Sequence, residues 1–121
     1  MNFINSYKKL EQLCNTMFDS KHGISIYIDK LSKIDNKDKD LKKLKHCRYL
    51  RNKIVHEPNC TEEKMCKKED LEFLNCFYKK INSKKDPLYM YKKGLKQKII
   101  NCMLIIILII VFIILLKSII N

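Results

Sequence analysis

Apolar side chains recur with helical spacing along the first eighty-odd residues and then merge into one unbroken run. Phe3, Ile4, Tyr7, Leu10, Leu13, Cys14, Met17 and Phe18 fall within one half of a helical wheel, with Lys8, Lys9, Gln12, Asn15 and Thr16 on the other. Gly23 breaks this pattern, and a shorter helix follows with Ile24, Tyr27, Ile28, Leu31 and Ile34 on its inner face. Asp35-Asn36-Lys37-Asp38 is a polar turn. A third helix, capped by Asp40, is predicted from Leu41 to about His56, because Pro58 drives the residue before it out of the α region. A fourth helix starts at Thr61 or later and turns Leu71, Phe73, Leu74, Phe77, Tyr78 and Ile81 inward, and Asp86-Pro87 closes the domain. No stretch alternates with strand period. The fold class expected is therefore all-α, a small antiparallel four-helix bundle over residues 1–86.

The apolar run changes that picture from a soluble domain to a membrane protein. Residues 99–116 read IINCMLIIILIIVFIILL, eighteen positions without a charge. As a helix they span about 27 Å, close to the ~30 Å hydrocarbon core of a bilayer. The run is apolar on every face, so a domain this small has no interior to hide it in. Residues 99–120 are expected to form one transmembrane helix, preceded by a basic juxtamembrane tether over residues 87–98. Lys92, Lys93, Lys96 and Lys98 crowd the N-terminal flank against Lys117 alone on the far side. The positive-inside bias predicts a tail-anchored, single-pass protein with its N-terminal domain in the cytoplasm.

Charge and cysteine usage narrow the chemistry. Residues 1–98 carry 24 basic side chains against 13 acidic ones, a net charge of +11. That excess attracts a polyanion such as RNA, and equally the anionic lipids of the bilayer. The six cysteines include no C-x-x-C pair, and the expected compartment is reducing, so they read as free thiols. His56, Cys60 and Cys66 match no standard zinc spacing. No glycine-rich phosphate loop and no paired-carboxylate constellation is present, which argues against an NTPase and a metal-dependent nuclease. Neither metal nor cofactor is expected.

All but two of the 25 basic residues are lysine. The exceptions, Arg48 and Arg51, stand one helical turn apart on the third helix. Where lysine serves for positive charge generally, arginine marks a need for a planar, bidentate, permanently charged fork. On the wheel of that helix, Leu41, Leu44, Cys47, Leu50, Ile54 and Val55 make an apolar half-circle. Arg51 falls near its middle and Arg48 toward one margin. A guanidinium there needs a carboxylate, with Glu11 and Asp29 as candidates, or a polar cleft. Both readings stay open on wheel geometry. His56 lies about 140° round from Arg51 on a straight helix, and loosening ahead of Pro58 would swing it closer. His22 and His46 fit no such pattern and read as surface side chains.

The segment Leu50-Arg51-Asn52-Lys53-Ile54-Val55-His56 resembles the signature of the HEPN superfamily (higher eukaryote and prokaryote nucleotide-binding domains): arginine, a polar residue, then histidine a few positions on. Asparagine directly after arginine, an apolar pair before histidine and a place at the end of a bundle helix add to the likeness. Glu57-Pro58 departs from the histidine-x-tyrosine continuation of the branch that acts with nucleotidyltransferase partners. The resemblance implies a homodimer whose two motifs face a shared cleft and cleave RNA without metal. Under it, His56 is the general acid or base, Arg51 stabilises charge on the phosphate, and Asn52 orients phosphate or histidine. Arg48 and Lys53 are then RNA- or phosphate-binding. The competing expectation is a non-catalytic, membrane-tethered helical module that senses a ligand or binds a protein partner.

Overall fold

Residues 2–121 are described by a computed structural model. They form six helices: α1 (Phe3–Phe18), α2 (Gly23–Ile34), α3 (Lys39–His56), α4 (Glu62–Met65), α5 (Lys68–Asn82) and α6 (Pro87–Ile120). No strand occurs among the described residues. Side-chain chemistry sets most of the boundaries. α1 ends at Asp19, whose left-handed backbone (φ 48°, ψ 54°) returns its N–H to the Asn15 carbonyl, a conformation that Asp tolerates better than most residues. α2 starts at Gly23 because nothing larger fits. A Cβ there would lie 2.3 Å from the Asn15 nitrogen and 2.4 Å from the Cys14 carbonyl carbon, inside the backbone of α1.

The cap of α3 is Asp38 rather than Asp40. The Asp38 side chain accepts the Leu41 N–H at 3.0 Å, which starts the helix two residues earlier than the apolar pattern does. Asp40 sits in the first turn instead and pairs with Lys80 of α5 at 2.9 Å. The fourth helical segment divides into two. Thr61 caps the single turn of α4, where Glu62 accepts the Ile4 N–H at 2.8 Å and so ties α4 to the start of α1. α5 then begins at Lys68, with Asp70 accepting the Lys67 N–H at 2.8 Å.

Four of these helices share one core. α1 packs on α2 and α5, and α3 packs on α2, α5 and, more lightly, α1. Phe3, Leu10, Ile24, Tyr27, Leu41, Leu44, Leu74 and Phe77 are wholly or almost wholly buried. Tyr27 and Phe77 meet edge to face with centroids 5.3 Å apart. Among the described residues Asp86 is the one buried charged side chain, 2 % exposed. Its carboxylate accepts the Tyr27 hydroxyl at 2.6 Å and the Tyr89 N–H at 3.4 Å. The Tyr27 oxygen in turn accepts the Leu88 N–H at 3.2 Å. Asp86 thus serves as core acceptor and as cap of the helix that Pro87 opens. No buried side-chain nitrogen or oxygen among the described residues lacks a partner.

The chain divides into a unit that ends at Tyr89 and a unit of residues 90–121. The second is a single helix. Residues 87–98, expected as a tether, are helical and continuous with the apolar run. Their α6 is 34 residues long, about 51 Å. From Ile99 to Leu116 the large apolar side chains are exposed, none below 42 %. It is one helix long and apolar enough to cross a membrane.

Candidate functional site

The two arginines project from α3 into one polar cleft of about 310 Å³. Tyr7 and Glu11 of α1 form one wall, and Ser25 of α2 stands opposite Arg48. Lys21 and His22, from the connection between α1 and α2, close the rim, and Asn52 completes the α3 side. Arg48 Nη1 donates to Ser25 Oγ at 3.3 Å, and Arg51 Nη1 donates to Asn52 Oδ1 at 3.1 Å. The Arg51 guanidinium also sits 5.9 Å from the Tyr7 ring centroid, a cation–π contact.

Both acceptors are neutral. Neither guanidinium is in a salt bridge among the described residues. Glu11, one of the expected counter-ions, lines the same cleft but directs Oε2 to the Ile24 N–H at 3.2 Å. Asp29, the other, is exposed and outside the cleft. Each arginine has five N–H donors, and one is used in each case, so the forks remain available to a ligand. The electrostatics of the Tyr7 hydroxyl report the same grouping. Burial pushes it well above its ordinary value and Glu11 adds to this, while Arg51 and Arg48 pull it back. At neutral pH Tyr7 is therefore an uncharged phenol beneath two cations.

The other residues of the motif lie elsewhere. His56 is the last residue of α3, exposed, and does not line the arginine cleft. Lys53 pairs with Glu57 at 2.7 Å, stands 5.7 Å from the Tyr49 ring and does not line the arginine cleft. That hydrogen bond raises the Lys53 pKa and lowers that of Glu57. Val55, placed on the inner half of the wheel, is 52 % exposed. The structure thus joins Arg48, Arg51 and Asn52 and leaves Lys53 and His56 out. It adds His22 and Lys21, which no single-helix wheel places because they sit in a turn.

A second cleft, of about 380 Å³, lies between α3 and α5 and includes His46, Cys47 and Asp70. His46 Nε2 is 3.5 Å from Asp70 Oδ1. The trio has the composition of a thiol nucleophile site, but burial pushes the Cys47 thiol up to about 12, so it carries no thiolate at neutral pH. Among the described residues no three His, Cys, Asp or Glu side chains gather in a way that holds a metal ion.

A family model matches residues 1–101, described as a family of unknown function (DUF6548), and the chain belongs to that family. The matched span takes in the helical domain and the basic start of α6 and ends as the apolar run begins. No curated protein and no solved structure matches the chain.

Proposed function

We propose that this member of the DUF6548 family is a single-pass membrane protein whose domain, an antiparallel four-helix bundle resembling HEPN domains, binds RNA through its phosphates. The observation that carries this reading is the cleft itself. The only two arginines in the chain line it, three residues apart, and both spend their contacts on neutral acceptors. A planar fork without a carboxylate partner matches the geometry of a phosphate. The lysine asymmetry about α6 supports a domain on the cytoplasmic side, where RNA is available.

Metal-independent RNA cleavage is the stronger form of the same proposal, and it calls for a second copy. His56 is outside its own chain's cleft, on an exposed side of α3 with Tyr49 and Asn52. A homodimer formed across that side would bring the histidine of one chain toward the arginines of the other. There the 2′-hydroxyl attacks the adjacent phosphorus, the P–O5′ bond breaks, and the ends are a 2′,3′-cyclic phosphate and a 5′-hydroxyl. One copy's His56 takes the 2′-hydroxyl proton, and the protonated His56 of the other copy gives a proton to the departing 5′-oxygen.

The test uses the full chain in maltoside micelles with a labelled single-stranded RNA in EDTA. Expected are salt-sensitive binding, at least about tenfold weaker for Arg51→Lys and Arg48→Lys, since an ammonium keeps the charge and loses the bidentate contact. Binding that both variants retain at full strength would sink the phosphate reading. Cyclic-phosphate products abolished by His56→Ala, with a dimer mass by light scattering, support the cleavage form. Binding without products returns the protein to a non-catalytic, membrane-tethered module.

A further inference from the structure

The connection between α1 and α2 is more firmly built than a surface turn requires. Asp19 adopts the left-handed conformation, and Ser20 Oγ accepts the His22 N–H at 3.1 Å. Asn15 Oδ1 accepts the Gly23 N–H at 2.7 Å, and Glu11 Oε2 accepts the Ile24 N–H at 3.2 Å. Gly23 rests directly on the backbone of α1. The amides that open α2 are therefore occupied by side chains of α1. What the turn offers to a ligand is a pair of side chains, Lys21 and His22, and both face the cleft of Arg48 and Arg51.

We propose that Lys21 and His22 complete, with Arg48 and Arg51, a cradle for a nucleic-acid phosphodiester, in which His22 binds the phosphate as imidazolium. This rests on the phosphate reading of the same cleft and adds a residue and a pH dependence to it. The groups facing His22 are Tyr7 and Glu11 from α1, Lys21 from its own turn, and Arg48 and Arg51 from α3. Three fixed cations stand against one carboxylate, and Tyr7 stays neutral. A phosphate anion bound in the cleft favours a protonated imidazole beside it, so ligand and proton bind together. The one phenolic ring in the lining, Tyr7, is 5 % exposed and covered by Arg51, so it offers no open face for a base to stack on.

Histidine proton NMR of the full chain in maltoside micelles tests this, with the dinucleotide thymidylyl-thymidine as probe. Its phosphodiester is a monoanion throughout the range used, and without a 2′-hydroxyl it is not cleaved. On titration the His22 resonance should move and its titration midpoint should rise, while His46, in the separate cleft between α3 and α5, stays put. Affinity should fall about tenfold between pH 5.5 and 8, across the range where histidine loses its proton. His22→Gln should bind with no pH dependence. Binding that depends on Arg51, with His22 unmoved and affinity flat in pH, overturns the role of His22 and leaves the phosphate reading standing. No binding at either pH overturns both. Movement of His22 with a short-chain phosphatidylglycerol and not with the dinucleotide overturns the nucleic-acid assignment in favour of lipid headgroups.

Discussion

Tyr27 and Asp86 are 59 positions apart in the chain and share a buried hydrogen bond of 2.6 Å. The tyrosine comes from α2, and the aspartate stands at the start of α6. The bond fixes where the last turn of the domain docks, and the Tyr27 oxygen, by accepting the Leu88 N–H, holds the first turn of α6 in the core. Tyr27→Phe keeps the ring against Phe77 and leaves the carboxylate short of a donor. A loss of about 1–3 kcal/mol is expected, read as a lower urea midpoint for the full chain in detergent. An unchanged midpoint would show that water replaces the hydroxyl at no net cost.

Gly23→Ala should do more damage than any polar substitution on the surface. The added Cβ meets backbone atoms of α1 at 2.3 and 2.4 Å, and backbone cannot rotate away as a side chain can. The α1–α2 pair must separate. We expect a loss of about 3 kcal/mol or more, at the upper end for overpacked sites, with the same urea assay. Gly94, which has nothing within 4 Å of an added Cβ, is the control. Gly94→Ala is expected to leave the midpoint in place.

Helical periodicity made four of the buried faces legible. Phe3, Tyr7, Leu10 and Cys14 on α1, and Ile24, Tyr27, Ile28 and Leu31 on α2, are where the wheel puts them. What it missed follows from tertiary contacts that a wheel does not contain. Asp38 and Asp40 are both plausible caps in sequence, and only the Leu41 N–H and Lys80 distinguish their roles. Arg51 was legible as an outlier on an inner face, but its resolution into a cleft depended on Glu11 being taken by Ile24. His22 was illegible because its place comes from a turn shaped by α1 side chains. The apolar run of α6 was plain from composition alone. Its helical continuation through residues 87–98 was not, since lysines and a glycine look like a linker.

Removing residues 99–121 should release the protein from membranes. The apolar side chains of α6 are exposed along a helix long and apolar enough to cross a membrane, and a bilayer is the solvent suited to them. The shortened chain should appear in the soluble fraction after a high-salt wash that strips lysine-mediated binding. Sedimentation with membranes after that wash would mean that the helical domain carries a second means of attachment.

The thiols should separate by environment. Burial pushes Cys14 and Cys47 up to about 12, with smaller contributions from nearby carboxylates, and pushes Cys66 to about 11. A hydrogen bond to Glu57 raises Cys60 as well. At pH 8 iodoacetamide should label exposed Cys76 first, Cys60 more slowly, and Cys14 and Cys47 only in denaturant, as read by mass spectrometry. The same shifts set an alkaline limit. A thiol whose pKa is higher in the folded state holds its proton longer there, so its stabilisation is complete below its ordinary value of 9.0. It is then lost as pH rises toward 12. The urea midpoint should decline across that window, and less steeply in Cys47→Ala. A decline of equal slope would assign alkaline unfolding to other groups.

Arg51 offers the cleanest separation of structure from function. A buried arginine in an ion pair would be strongly destabilising to remove, because its carboxylate would be stranded. Here the contacts are Asn52 Oδ1 at 3.1 Å and the Tyr7 ring at 5.9 Å. Neither is left charged when the guanidinium goes. Arg51→Ala should therefore lower stability by no more than about 1 kcal/mol, the scale of a cation–π contact. His56→Ala, at an exposed helix end, should change it by less than about 0.5 kcal/mol. Thermal melts followed by circular dichroism, run beside the RNA-binding assay, decide the matter. A near-native melt with binding lost places Arg51 in a ligand site. A melt several degrees lower with binding intact returns it to the core as a packing residue, and the cleft loses its claim to function.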